Sequence, residues 1–231
     1  MATLFGALAF LGALACWYGA WRSNESAPTA SPGVTHGSSR DARIGAVGKV
    51  LVPPALVGLV VSIGGLSAPG GGWLVVGLAL ALIGDVALLA SSTRYFVAGL
   101  LAFGVAQVAF LTAFVAAARA YGLTWWMALI GAVFAGLFAA TAGRRIHRAA
   151  TSSHGSALGY GVLGYMALLL AVAAAAGATG RWWALGGALL FVVSDTVLAL
   201  NRFVGPRARS DLVVLVTYHL ALAGFVAGLV A

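Results

Sequence analysis

The sequence predicts an all-α polytopic membrane protein: a bundle of about eight transmembrane helices forming one domain over residues 1–231, with both termini outside. Three observations carry this. First, 62% of the 231 residues are hydrophobic and 8% are charged, with a mean hydropathy of +1.03. A soluble domain carries about 25% charged residues, so this chain cannot coat a globular surface. Second, the apolar runs approach or exceed the roughly 20 residues that cross a bilayer as helix. They are continuous stretches of Ala, Leu and Gly, whereas a membrane β-barrel needs short segments of strict alternation. Third, the basic residues fall in alternate loops, as expected for a chain that weaves through a membrane.

The spans read in order as 2–21, 46–66, 73–91, 95–118, 123–142, 157–177, 182–203 and 211–230. "LGALAC", ending at Cys16, faintly resembles a lipoprotein cleavage site, but no Lys or Arg precedes it as such signals require. The stretch therefore reads as an uncleaved first helix, and a single cysteine allows no intramolecular disulfide. Residues 22–45 are rich in Ser, Gly, Pro and Ala and predict a flexible cytoplasmic loop. "SAPGGG" at 67–72 predicts a tight turn, and "GRRIHRAATSSHG" at 143–155 a basic loop. No second domain and no internal repeat is evident.

Ten of the 13 basic residues fall on one face: Arg22, Arg40, Arg43, Arg94, Arg144, Arg145, Arg148, Arg202, Arg207 and Arg209. Only Arg119 and Arg181 fall on the other, and Lys49 lies just inside the second span. The positive-inside rule puts the first face in the cytoplasm. The net charge of +8 is then topology and attraction to lipid headgroups, with no nucleic-acid partner implied.

Of five acidic residues, Glu25, Asp41 and Asp211 fall in loops or at a helix edge, while Asp85 and Asp195 fall within spans. A carboxylate near the bilayer centre costs about 2.5–3.5 kcal/mol on insertion scales, so such residues face a bundle interior or a wet cavity. The bland explanation is a packing device, an Asp bonded to a Ser or Thr of a neighbouring helix. Two carboxylates at matching depth favour a shared chamber instead. At 1.5 Å per residue, Asp85 and Asp195 lie at nearly the same fraction of two spans that run the same way. They meet if the third and seventh spans are neighbours.

Other polar groups cluster near this level: Lys49, Gln107, Ser194, Arg202, Thr217, Tyr218 and His219. Each has a plain alternative. Lys49 and Arg202 can anchor the interface, and Arg202, two turns from Asp195, can snorkel to a phosphate. Gln107 can bond a neighbouring helix. His219 can be a satisfied core histidine, and Ser194 and Thr217 can bond their own helix carbonyls. Pro53 and Pro54 remove donors from the second span and predict a kink. His36, His147 and His154 sit in loops, and no ligand spacing suggests a metal. No P-loop, dinucleotide fingerprint or G-x-S-x-G elbow is present.

"LIGDVALL" (82–89), "FVAGLLAFGVAQVAFLTAF" (96–114), "GALLFVVSDTVLALNRF" (187–203) and "TYHLALAGFVAGLV" (217–230), with "GKVLVPPALV" (48–57), are similar in order and spacing to the lysoplasmalogenase (YhhN-like) family. The resemblance covers about residues 46–230. Members often carry a His where this chain has Gln107, and a Gln where it has Leu222. The resemblance implies a membrane hydrolase that cleaves the vinyl-ether bond of lysoplasmalogens to a fatty aldehyde and a glycerophospho-base. It maps the family's two aspartates onto Asp85 and Asp195 and implies no metal and no cofactor. Tyr218, His219, Gln107 and Ser194 would then position water or substrate, and Lys49 and Arg202 the phosphate. The partners are a lysophospholipid and the surrounding membrane lipids. A small-solute or proton-coupled transporter and a non-catalytic lysolipid-binding bundle are the alternatives. Abundant Ala, Gly and Arg with one Lys fits a GC-rich genome, hence a bacterial inner membrane.

Overall fold

A computed structural model of the chain describes residues 1–25, 39–90, 92–205 and 207–230. Among these residues the secondary structure is helical throughout, joined by short turns. The helices are α1 (Ala2–Glu25), α2 (Ser39–Ser62), α3 (Gly71–Ala87), α4 (Thr93–Tyr121), α5 (Trp125–Phe138), α6 (Arg144–His154), α7 (Ser156–Ala178), α8 (Trp182–Ala199) and α9 (Ser210–Val230). A π-helical turn, Ala139–Gly143, joins α5 to α6, and another, Leu200–Val204, extends α8. Seven stretches, with α5 and α6 taken as one, are long and apolar enough to cross a membrane.

Three expectations need correction. The basic segment 143–155 is not a loop, because helix continues through α6 to His154. Its sequence is amphipathic, with Ile146 and Ala150 buried and Arg144, Arg145 and Arg148 exposed, so polar composition hid a helix that packs by one stripe. The loop expected at 22–45 is shorter: α1 runs to Glu25 and α2 begins at Ser39, and residues 26–38 lie outside those described. The third span, expected over 73–91, is a helix of only 17 residues. It falls short of the length of its neighbours, at about 25 Å, and ends where Leu88 donates back to the Gly84 carbonyl.

α3 compensates by position. Leu74, Leu78 and Ala81 line its inner stripe with Gly77, Gly84 and Asp85, all buried. It packs chiefly against α4, and also against α2 and α9. A Cβ on Gly84 would come within 2.7 Å of the Phe103 ring, so the glycine before Asp85 is what admits that ring. α8 and α9 approach still more closely. A Cβ on Gly228 would lie 2.4 Å from the Ala184 nitrogen, and one on Gly224 2.9 Å from the Gly187 Cα. Gly224 and Gly228 form a G-x-x-x-G face, the spacing that lets membrane helices touch backbone to backbone.

The order of packing decides what the aspartates can reach. α8 packs on α9, α7 and α5, whereas α3 packs on α4, α2 and α9. α9 thus stands against both aspartate-bearing helices. Phe110, Phe114, Phe191 and Phe225 stack edge and face through the centre of the bundle, fully enclosed. α2 stays helical across Pro53 and Pro54. Pro53 brings no N–H for the carbonyl of Lys49, one turn back.

Candidate active site

Asp85 is completely buried near the end of α3. Lys49 of α2 places its ammonium 3.2 Å from Asp85 Oδ1. The Tyr218 hydroxyl of α9 donates to Asp85 Oδ2 at 2.7 Å. The carboxylate is thus held between a cation and a phenol, with three helices supplying the parts. Removal of such a group from water is tolerated only when charge and lone pairs are answered this way. Phe103 and Phe191 pack edge-on against the Tyr218 ring, 5.8 and 5.7 Å between centroids, and lock its rotamer.

Asp195, on α8, is half-buried and has different company. The Tyr165 hydroxyl of α7 donates to its Oδ2. No cation pairs with it among the described residues. Asp195 faces a cleft between α4, α7 and α8, lined also by Tyr165 and Thr196 and otherwise walled by Leu88, Leu100, Phe103, Leu169 and similar side chains. Phe96 and Phe203 stand at the end of the cleft nearest the arginine-rich loops, their rings 5.9 Å apart and edge to face. The Arg202 guanidinium lies over the Phe96 ring, 4.6 Å from its centroid. His154, at the end of α6, packs edge-on against Phe203.

The two carboxyls are not bonded to each other. Phe103 is common to both surroundings: it lines the Asp195 cleft and packs on the Tyr218 ring that holds Asp85. α9 packs on both α3 and α8 and stands as the bridge between an enclosed aspartate and an open one.

The remaining residues singled out in the sequence divide. Gln107 is fully buried on α4; its amide lies beside the Tyr165 hydroxyl but outside hydrogen-bond geometry, and both its nitrogen and its oxygen lack a partner among the described residues. Unsatisfied groups this deep are uncommon and point to space for water or a ligand atom. His219 is buried beside Tyr218, and its Nδ1 accepts a hydrogen bond from Trp17 Nε1 of α1 at 3.1 Å. Ser194 donates across to the Val214 carbonyl of α9 at 3.0 Å and ties the two helices together. Thr217 bonds back to its own helix at Val213. Lys49 turns inward to Asp85 instead of reaching toward a headgroup.

Two contributors escaped the sequence reading: Tyr165, the partner of Asp195, and Trp17, the partner of His219. "GYGVLGYMA" around Tyr165 offered a signal, a second tyrosine inside an apolar helix whose hydroxyl must find an acceptor. Trp17 gave less, since an indole in a hydrophobic run reads as bulk. Among the described residues no group of three or more His, Cys, Asp or Glu side chains could hold a metal.

Fold and site together define a polytopic helical membrane protein with two intramembrane aspartates, each answered by a tyrosine from another helix. Residues 45–229 match the YhhN family, and the chain belongs to that family. Its similar curated relatives include lysoplasmalogenase TMEM86A of Homo sapiens and of Bos taurus, each 32% identical over 160 residues. The aligned stretch is 68% of this chain and 64% of each relative. The chain thus spans somewhat less than two thirds of the relatives' length. No solved structure gives a significant match.

Proposed function

We propose that the protein is a membrane hydrolase that cleaves the vinyl-ether bond of lysoplasmalogens, releasing a fatty aldehyde and a glycerophospho-base. The observation that carries this reading is Asp195: a carboxyl in the wall of an apolar cleft, held by the Tyr165 hydroxyl. The names of the two curated relatives support the same reaction.

The two aspartates take different parts. Asp195 serves as the acid in its protonated form, since it faces an apolar cleft and no cation stands against it among the described residues. Its proton goes to the β carbon of the vinyl ether; the C=C electron pair forms the new C–H bond, leaving an oxocarbenium ion at the carbon bearing oxygen. Asp195, now a carboxylate, faces that cation across the cleft, while Asp85 stays paired with Lys49. Water adds to the cation and returns a proton to Asp195, and the hemiacetal collapses to aldehyde and alcohol. Glycosidases meet a related cation with two carboxyl groups. Tyr165 orients Asp195, Tyr218 orients Asp85, and Gln107 offers both a donor and an acceptor to water.

The alkenyl chain lies in the cleft, and the phosphate meets Arg202 at its mouth. By the arginine count that mouth faces the cytoplasm, both termini face outward, and the substrate arrives from the inner leaflet of a bacterial inner membrane. Purified protein in nanodiscs, given lysoplasmenyl-ethanolamine or -choline, should release aldehyde detectable by mass spectrometry. The Asp195→Asn protein should fold and release none, a loss on the order of 10²–10⁴-fold for one general acid. Retention of intact lipid by the wild-type protein, with no aldehyde formed, would sink the hydrolase in favour of a lipid-binding role.

A further inference from the structure

α1 stands outside the stretch that matches the family, which begins at residue 45. It is nonetheless built into the site. α1 packs along α2 so closely that a Cβ on Gly48 would lie 2.5 Å from the Gly12 carbonyl oxygen and 2.6 Å from the Cys16 nitrogen. That crossing sits next to Lys49 in sequence and sets α1 against the site. α1 also touches α9, and one turn past Gly12 it delivers Trp17 to His219.

The chemistry of that contact is one-directional. An indole N–H can only donate. The His219 Nδ1, 3.1 Å away, must therefore keep its lone pair, so the imidazole is neutral and its proton sits on Nε2. The two rings lie 6.2 Å apart at 29°, and the Tyr218 ring lies 5.4 Å from the imidazole. Nε2 is buried and has no partner among the described residues. A buried N–H with nothing to donate to is rare in a finished core. Tyr218, the residue before His219 on α9, is the one whose hydroxyl holds Asp85.

We propose that Trp17 is a positioning residue: it fixes the tautomer of His219 so that a buried Nε2–H donor stands ready on the residue next to Tyr218, where it holds the oxygen of a water molecule. The role of that water rests on the hydrolase reading above; the tautomer does not. A histidine free to rotate or to exchange tautomers would present a lone pair to the water in part of the population, and the donor would be lost.

Histidine ¹⁵N spectra of the labelled protein in nanodiscs test this directly, since the chain has only four histidines and His219→Gln assigns the signal. The expected spectrum shows unprotonated Nδ1 and protonated Nε2 in the wild type, and a mixture of tautomers in Trp17→Phe. Aldehyde release should fall in Trp17→Phe through kcat, with KM unchanged, by roughly tenfold, the worth of one hydrogen bond. Trp17→Phe placed on His219→Gln should cost nothing further. A wild-type signal with the proton on Nδ1 overturns the proposal, even where Trp17→Phe fails to fold. So does a Trp17→Phe loss of equal size in the Gln background, which would make the indole simple packing. The expected tautomers in a protein that releases no aldehyde would keep the positioning role and remove the hydrolase reading instead.

Discussion

Asp85 and Asp195 are the same side chain in one bundle, yet they occupy opposite kinds of place. Asp85 is sealed among α2, α3 and α9, with an ammonium at 3.2 Å and a phenol at 2.7 Å. Asp195 faces a cleft with a single tyrosine behind it. The difference teaches that an intramembrane carboxylate can be stored or offered. A stored one needs its countercharge and is part of what holds the helices together. An offered one needs space on one side and little else.

Stability measurements should separate the two most widely. Asp85→Asn leaves the half-buried Lys49 ammonium without its partner, a change that costs up to about 3–5 kcal/mol. Asp195→Asn breaks no ion pair, and its thermal unfolding midpoint in detergent should stay close to wild type. Lys49→Met combined with Asp85→Asn should recover most of the loss, because no unpaired charge is then left in the enclosure. Equal destabilisation by the two Asn variants would erase the distinction drawn here.

A smaller effect comes from the cleft itself. Leu100→Trp fills the space beside Asp195 and does not touch the Asp85 enclosure. Long-chain substrate should lose turnover by about tenfold or more, in line with 1–3 kcal/mol for an overpacked apolar site, while a short-chain analogue keeps its rate. Loss of both alike would mean that the chain lies elsewhere. The smallest effect belongs to the rim. Arg202→Gln should raise KM by about fivefold with kcat unchanged, as expected for about 1 kcal/mol of binding common to ground and transition states. A fall in kcat instead would move Arg202 into the chemistry.

How much of this was legible in the sequence follows from what hydropathy registers. Seven of the eight spans emerge as long apolar helices because twenty greasy residues have few other solutions. The helix of 144–154 was missed because its arginines outweigh Ile146 and Ala150 in composition, though not in packing. The two aspartates stood out because a charge in an apolar run is costly. Tyr165 and Trp17 did not, because each is mostly hydrocarbon and carries its one polar atom at the far end.

The sequence by itself determined the membrane helices and the two carboxylates, since both follow from local composition and the cost of leaving water. Which helix lies beside which is not local. It is set by the glycines that let α8 meet α9 and α1 meet α2. Only that packing decided that Lys49 belongs to Asp85, that Tyr165 belongs to Asp195, and that α9 stands between the two. Only it left one aspartate enclosed and opened the other to a cleft, because countercharge and free space are properties of neighbours, and neighbours are fixed in three dimensions.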